Sequence, residues 1–219
     1  MNKLQRNSLP KGGFAGVREH RLIKSPKAFG PDSNNDGSWP GIGNFVYMAD
    51  ARFIPNGETK MHNHHEVDVI SVVVDGRISH EGSLGHGQDL VANDVQVQRA
   101  GGEGFSHNEI NPDSEWNRMI QLWVLPEMYG QPAGYKVYVY GGGNAAETSF
   151  VSHTVVDMAL LEDGQQVQVD RPSLTYITKG AGELNGETVS EGDLISSDQL
   201  HFTASENTQF IVVHTIEII

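Results

Sequence analysis

The chain has 219 residues, with 28 acidic against 15 basic side chains and a formal charge of −13. That balance argues against direct binding to a nucleic-acid backbone, which needs clustered Lys and Arg to displace counterions. With no cysteine, disulfides, zinc–thiolate sites and thiol catalysis are excluded, and ten histidines in an acidic chain stand out instead. The length suits one large domain or two small ones. No apolar stretch approaches the roughly 20 residues that span a bilayer, so no membrane role is expected. No apolar run follows residues 1–5 to make a signal peptide, and the cytoplasm is the default location.

Residues 1–30 hold seven of the fifteen basic side chains, Lys3, Arg6, Lys11, Arg18, Arg21, Lys24 and Lys27, against one acid, Glu19. No aromatic interleaving accompanies them, so the expectation is a short tail and then a solvated strand at 14–23. Residues 29–43, rich in Pro, Asp, Asn and Gly, form a loop long enough to be suspected of function. Beyond it, β-branched and aromatic runs predict strands at 45–53, 67–74, 119–125, 135–140, 150–156, 174–178 and 210–218. The run at 67–74 is too apolar for a strand with one wet face and should be central. Twenty-five glycines supply the tight turns. The fold class is all-β, a sandwich or barrel.

The pattern occurs twice. Ser71-Val-Val-Val-Asp-Gly76 leads to Ala92-Asn-Asp-Val95 and then His107; Tyr176-Ile-Thr-Lys-Gly180 leads to Glu191-Gly-Asp-Leu194 and then His201. Two copies of a small antiparallel barrel are expected, 1–130 and 131–219, joined near 126–134. Counting back from the paired glycines puts Gln166 and Gln168 where the first copy has His62 and His64, so one metal is expected, in the first half.

The strongest local feature is His62-Asn-His64-His65-Glu66-Val67-Asp68. In a strand, residues i and i+2 share a face, so His62 and His64 should project side by side, with Glu66 and Asp68 continuing that face. A second pair, His107 and Glu109, follows the glycine-rich turn Gly101-Gly-Glu-Gly. Three imidazoles and a carboxylate suit a transition metal with open positions for water, substrate or dioxygen. Asp68 is expected to orient a histidine through its other N–H. Glu103 is placed either at the pocket mouth or in solvent. His80 and His86 are expected on the surface, His153 and His214 in structural roles, and Met119 and Trp123 in the core.

These segments resemble the pirin family of bicupins. The resemblance lies in His62-Asn-His64-His65-Glu66-Val67-Asp68-Val69-Ile70, in Asp94 through Ala100-Gly101 to His107-Asn-Glu109, in Glu81-Gly-Ser-Leu-Gly85 and Gln121-Leu-Trp-Val124, and in Lys179 to Asp193. It is densest over 57–125. The family usually has Arg-Gly-Phe-Glu after its second histidine, where His65-Glu66-Val67-Asp68 stands here, and Asn93 replaces a Gly; both change the pocket lining rather than the ligand set.

The resemblance implies a bicupin, two jelly-roll barrels facing each other, with His62, His64, His107 and Glu109 holding one divalent metal. Iron is favoured, with Cu, Mn, Ni, Co and Zn also compatible. It implies a dioxygenase that cleaves quercetin-like flavonols or a related enolic or phenolic substrate, with Glu109 taking the substrate hydroxyl proton. The alternative is a metal-dependent regulator acting on a transcription factor or metabolic enzyme through a protein partner. A monomer is expected.

Overall fold

The computed structural model describes residues 1–139 and 152–216. The outer residues of three predicted strands, 140, 150–151 and 217–218, lie outside the described residues. Among the described residues almost all regular structure is β, with only a 3-10 turn at Arg6–Ser8 and a one-turn helix at Pro26–Phe29. Every strand pairing is antiparallel.

Two barrels face each other, each made of one large and one small sheet. In the first, the large sheet runs Gly134–Tyr138, Val95–Arg99, Asp68–Asp75, Asn117–Val124, Phe45–Phe53, Val17–Lys24, and the small sheet His62–His64, Phe105–Ile110, Arg77–Gly82, Gln88–Val91. In the second, the large sheet runs Asn2–Gln5, Asp193–Ser197, Ser173–Lys179, Thr208–Thr215, Thr154–Leu161, and the small sheet Gln166–Val169, Leu200–Ala204, Ala181–Leu184, Glu187–Ser190.

The repeat holds at the level of single hydrogen bonds. Asn93 and Gly192 both adopt positive φ, 74° and 89°, and each is followed by an aspartate. Asp94 accepts from the Val91 N–H at 2.9 Å and Asp193 from the Ser190 N–H at 3.0 Å. Asn tolerates this left-handed conformation, which is why it can stand where the other copy has Gly.

The predicted tail is a strand. Asn2–Gln5 pairs with Asp193–Ser197 at the edge of the second barrel's large sheet. Gly134–Tyr138 takes the same edge of the first barrel's sheet, against Val95–Arg99. Each sheet is thus completed by an arm lying in sequence ahead of the opposite half.

The largest apolar cluster lies between the barrels. Alternation sends Ile70, Val72 and Val74 of the central strand outward to meet Leu174, Tyr176, Ile211 and Val213 of the second barrel. Val69 and Val73 belong instead to clusters on the first barrel's own side. Both faces of this strand are buried, as its composition predicted. A polar link crosses the same interface. Buried Asp50 accepts from Arg118, Arg6 and the Tyr176 hydroxyl, while Arg118 donates to the Thr178 carbonyl at 2.7 Å. Burial alone would push the Asp50 carboxyl up, but its hydrogen bonds and the Arg118 charge hold it below the usual range.

Candidate metal centre

His62–His64 is a strand of three residues paired with Phe105–Ile110, so His62 lies directly opposite His107. One nitrogen from each of His62, His64 and His107 falls within 4.8 Å of the others. His107 Nε2 lies 3.0 Å from His62 Nε2 and 3.2 Å from His64 Nε2. Two nitrogens each about 2.1 Å from one ion are about 3.0 Å apart at a right angle and about 3.4 Å at a tetrahedral angle. The observed separations fit a shared divalent cation.

The donor chemistry agrees. His62 Nδ1 lies 2.8 Å from the Lys60 carbonyl, which places its proton there and leaves the Nε2 lone pair facing the cluster. Burial, then repulsion from His62, lowers the His64 pKa to about 4; burial and the neighbouring rings lower His107 to about 2. Both rings therefore stay neutral and available as ligands at pH 7. Buried His107 Nδ1 has no hydrogen-bond partner, so ring packing orients it. Phe105 stands edge-on to it at 5.2 Å and His80 tilts against it at 5.6 Å.

Glu109 is fully buried two residues beyond His107 on the same strand. Its carboxylate accepts from the Ser71 hydroxyl at 2.7 Å and the Gln121 amide at 3.1 Å. Burial pushes its pKa up to about 7, against the pull of those two hydrogen bonds.

Beside His62 and His64 opens a cavity of about 650 Å³. Phe29, Tyr47 and Trp123 form an aromatic wall, with Tyr47 and Trp123 centroids 4.5 Å apart and Trp123 stacked on Phe29 at 5.9 Å. Trp123 also meets His64 edge-on at 5.3 Å. Arg21 and Lys24 stand on the rim, paired with Glu19 and Asp36.

Several expectations need correction. The face begun by His62 and His64 does not continue, because Glu66 adopts φ 51° and breaks the strand. Asp68 belongs to the other sheet and pairs through both oxygens with Arg99 at 3.1 Å, so it orients no histidine. Glu103 accepts from the Ala133 N–H and ties the glycine-rich turn to the segment after it. The turn needs its glycines, since a Cβ on Gly101 would lie 1.9 Å from the Gln131 carbonyl. Trp123 is a cavity wall rather than core, whereas Met119 is core. His214 is buried in a strand, but His153 is exposed against Glu127.

His80 was missed outright. It is wholly buried, not on the surface, and ends a chain of hydrogen bonds running in one direction. The Tyr135 hydroxyl donates to Gln96, Gln96 to Gln98, Gln98 to His80 Nε2, and His80 Nδ1 to the Gly85 carbonyl. The sequence signal was the pair Gln96 and Gln98, amides two apart in a strand that otherwise reads as core.

The second barrel corrects the repeat alignment. Gln166, Gln168 and His201 are exposed, and Gln168 lies opposite His201. The inward positions are Val167, Val169, Leu200 and Phe202, which pack in that barrel's apolar core.

Comparison with known proteins matches residues 30–124 to the family Pirin. Over that segment the chain is similar to pirins. Among its relatives, a Zymomonas mobilis protein with a provisional quercetin 2,3-dioxygenase name is 26% identical over 93% of this chain and 92% of its own. The Escherichia coli K12 quercetin 2,3-dioxygenase is 27% identical over 60% of this chain and 64% of its own. The fold matches the crystal structure of the E. coli bacterial pirin YhhW in complex with nickel(II), with TM-score 0.79, 17% identity and 99% of both chains covered. Among the described residues no helix is long and apolar enough to cross a membrane.

Proposed function

We propose that this protein is a mononuclear non-haem metal dioxygenase of the pirin type, acting on a flavonol or a related enolic or phenolic ring. The observation that carries the reading is the convergence of three imidazoles, two of which line an aromatic-walled cavity of about 650 Å³. That volume suits a small aromatic molecule. A regulator acting through a protein surface would need no such room beside the metal. The names of the Zymomonas and E. coli relatives point to the same substrate class.

His62, His64 and His107 would hold the ion, with Glu109 as fourth donor, and the second barrel would hold none. A divalent transition metal there supplies a Lewis-acidic, redox-capable centre for substrate and dioxygen. The protein's own part is positioning and proton transfer. Phe29, Tyr47 and Trp123 stack the ring and exclude water. Glu109 takes the proton of the reacting hydroxyl at a carboxylate oxygen, and a carboxyl with a pKa of about 7 can accept it and return it near neutrality. Ser71 and Gln121 fix that carboxylate. Iron is the metal proposed; the nickel(II) in YhhW makes metal analysis the first measurement. Oxygen uptake with quercetin by the purified protein and by Glu109→Ala is the second. Protein that carries no transition metal sinks the reading, whereas uptake that survives the substitution sinks only the role of Glu109.

A further inference from the structure

A second cavity of about 530 Å³, none of whose lining residues lines the metal cavity, is bordered by Arg6, Lys11, Arg18, His20, Arg52 and Trp116. Three of its cations, Arg6, Lys11 and Arg18, come from the basic N-terminal stretch, whose Arg21 and Lys24 border the metal cavity instead. The strand register makes their arrangement unusual. Arg18 lies directly opposite Arg52, and Arg52 directly opposite Arg118, so three arginines form a row across three neighbouring strands. Like charges directly opposite one another destabilise a sheet unless an anion stands between them.

The anions present serve one end of the row. Asp50 and Glu191 pair with Arg118 and Arg6, whereas Arg52 comes only within 3.9 Å of Glu191. Glu19 and Asp50 also line the cavity, Glu19 bonded to Arg21, but among the described residues neither Lys11 nor Arg18 forms an ion pair. Arg18 Nη1 donates to the carbonyls of Ala15 and Val17 at 3.3 and 2.8 Å, which fixes the guanidinium and leaves its other N–H groups free to donate. Trp116, 51% exposed, offers a ring face beside these cations.

We propose that this cavity binds a small aromatic anion, a planar ring bearing a phosphate or carboxylate, with Arg18, Arg52 and Lys11 on the charged group and Trp116 against the ring. The volume lies within the range of small-molecule sites.

Isothermal titration of the metal-loaded protein with phenyl phosphate, benzoate and inorganic phosphate tests this. At least one of the two aromatic anions is expected to bind once per chain, and the tighter of them names the charged group. The double variant Arg18→Gln/Arg52→Gln should weaken that binding about tenfold or more. Trp116→Ala should abolish the preference for phenyl phosphate over inorganic phosphate. Both variants alter exposed side chains, and circular dichroism confirms that they fold. The proposal is overturned if neither aromatic anion saturates, or if the arginine variant binds as wild type does. It is equally overturned if binding disappears in His62→Ala but persists in the arginine variant, since the anion is then at the metal.

Discussion

In the first barrel, the pair His62–His64 and Phe105–Ile110 turns its imidazoles inward; in the second, the matching pair Gln166–Val169 and Leu200–Ala204 turns Gln168 and His201 outward. The small sheets share one strand order, so topology does not separate a metal barrel from a filled one. The phase of the side-chain alternation does. Inward residues of the second barrel are Val167, Val169, Leu200 and Phe202, the last packed against Phe210 at 4.8 Å. Inward residues of the first include Ser71, His80, Gln98, His107 and Glu109, polar groups satisfied largely by one another. A strand shifted by one residue exchanges its faces, so a histidine at nearly the right spacing still points to water.

The contrast is tested most severely by removing one imidazole from each barrel. His107→Ala is expected to reduce bound metal to none and oxygen uptake at least about a hundredfold; His201→Ala should leave metal content, read by elemental analysis, as in wild type. Equal loss from both would end the distinction drawn here.

The next effect concerns what the barrels share. Arg118→Met leaves Asp50 buried without its main partner, a change that costs about 3–5 kcal/mol. For a chain of this size the melting temperature should fall by about 10 °C. Near-UV dichroism and tryptophan fluorescence should lose signal together, because the link joins both halves.

A smaller effect belongs to the first barrel alone. Burial lifts Glu109 from an ordinary 4.5 to about 7, so between those values the folded metal-free chain holds a proton that the unfolded chain has released. Stability therefore falls as pH rises through that window. The lowered pKa values of His64 and His107 act oppositely, with stability lost as pH falls below 6.5. The difference in melting temperature between wild type and Glu109→Gln isolates the carboxyl, and should move in favour of Glu109→Gln as pH rises from 4.5 to 7. Smallest is the cavity wall. Trp123→Ala should raise the KM for quercetin by a few-fold to about tenfold while kcat changes less.

Much of this was legible in the sequence because its signals are local. The β-branched and aromatic run at 45–53, the double-sided burial of 67–74, the Asn-Asp and Gly-Asp turns at 93–94 and 192–193, and the imidazoles two apart at His62 and His64 each depend on neighbouring residues. What escaped depends on distant partners. Nothing near Asn2–Gln5 says that its ladder lies at Asp193–Ser197. Asp68 looked like a neighbour of the histidines until the break at Glu66 sent it to Arg99. His80 sits among turn-forming residues, yet its strand pairs with the one carrying Glu109, opposite it in register. The repeat was found by counting from glycines, and counting cannot see the one-residue phase difference between short strands.

The arms that complete the two large sheets bear on how such a molecule persists. Severing the halves would leave Val95–Arg99 or Asp193–Ser197 with a bare edge and expose the apolar surface between them. Neither half is expected to fold alone, and the chain should melt with the cooperativity of a single body. Duplication followed by loss of ligands in one copy would then leave no route to discarding that copy. The second barrel would be kept for the apolar surface it covers.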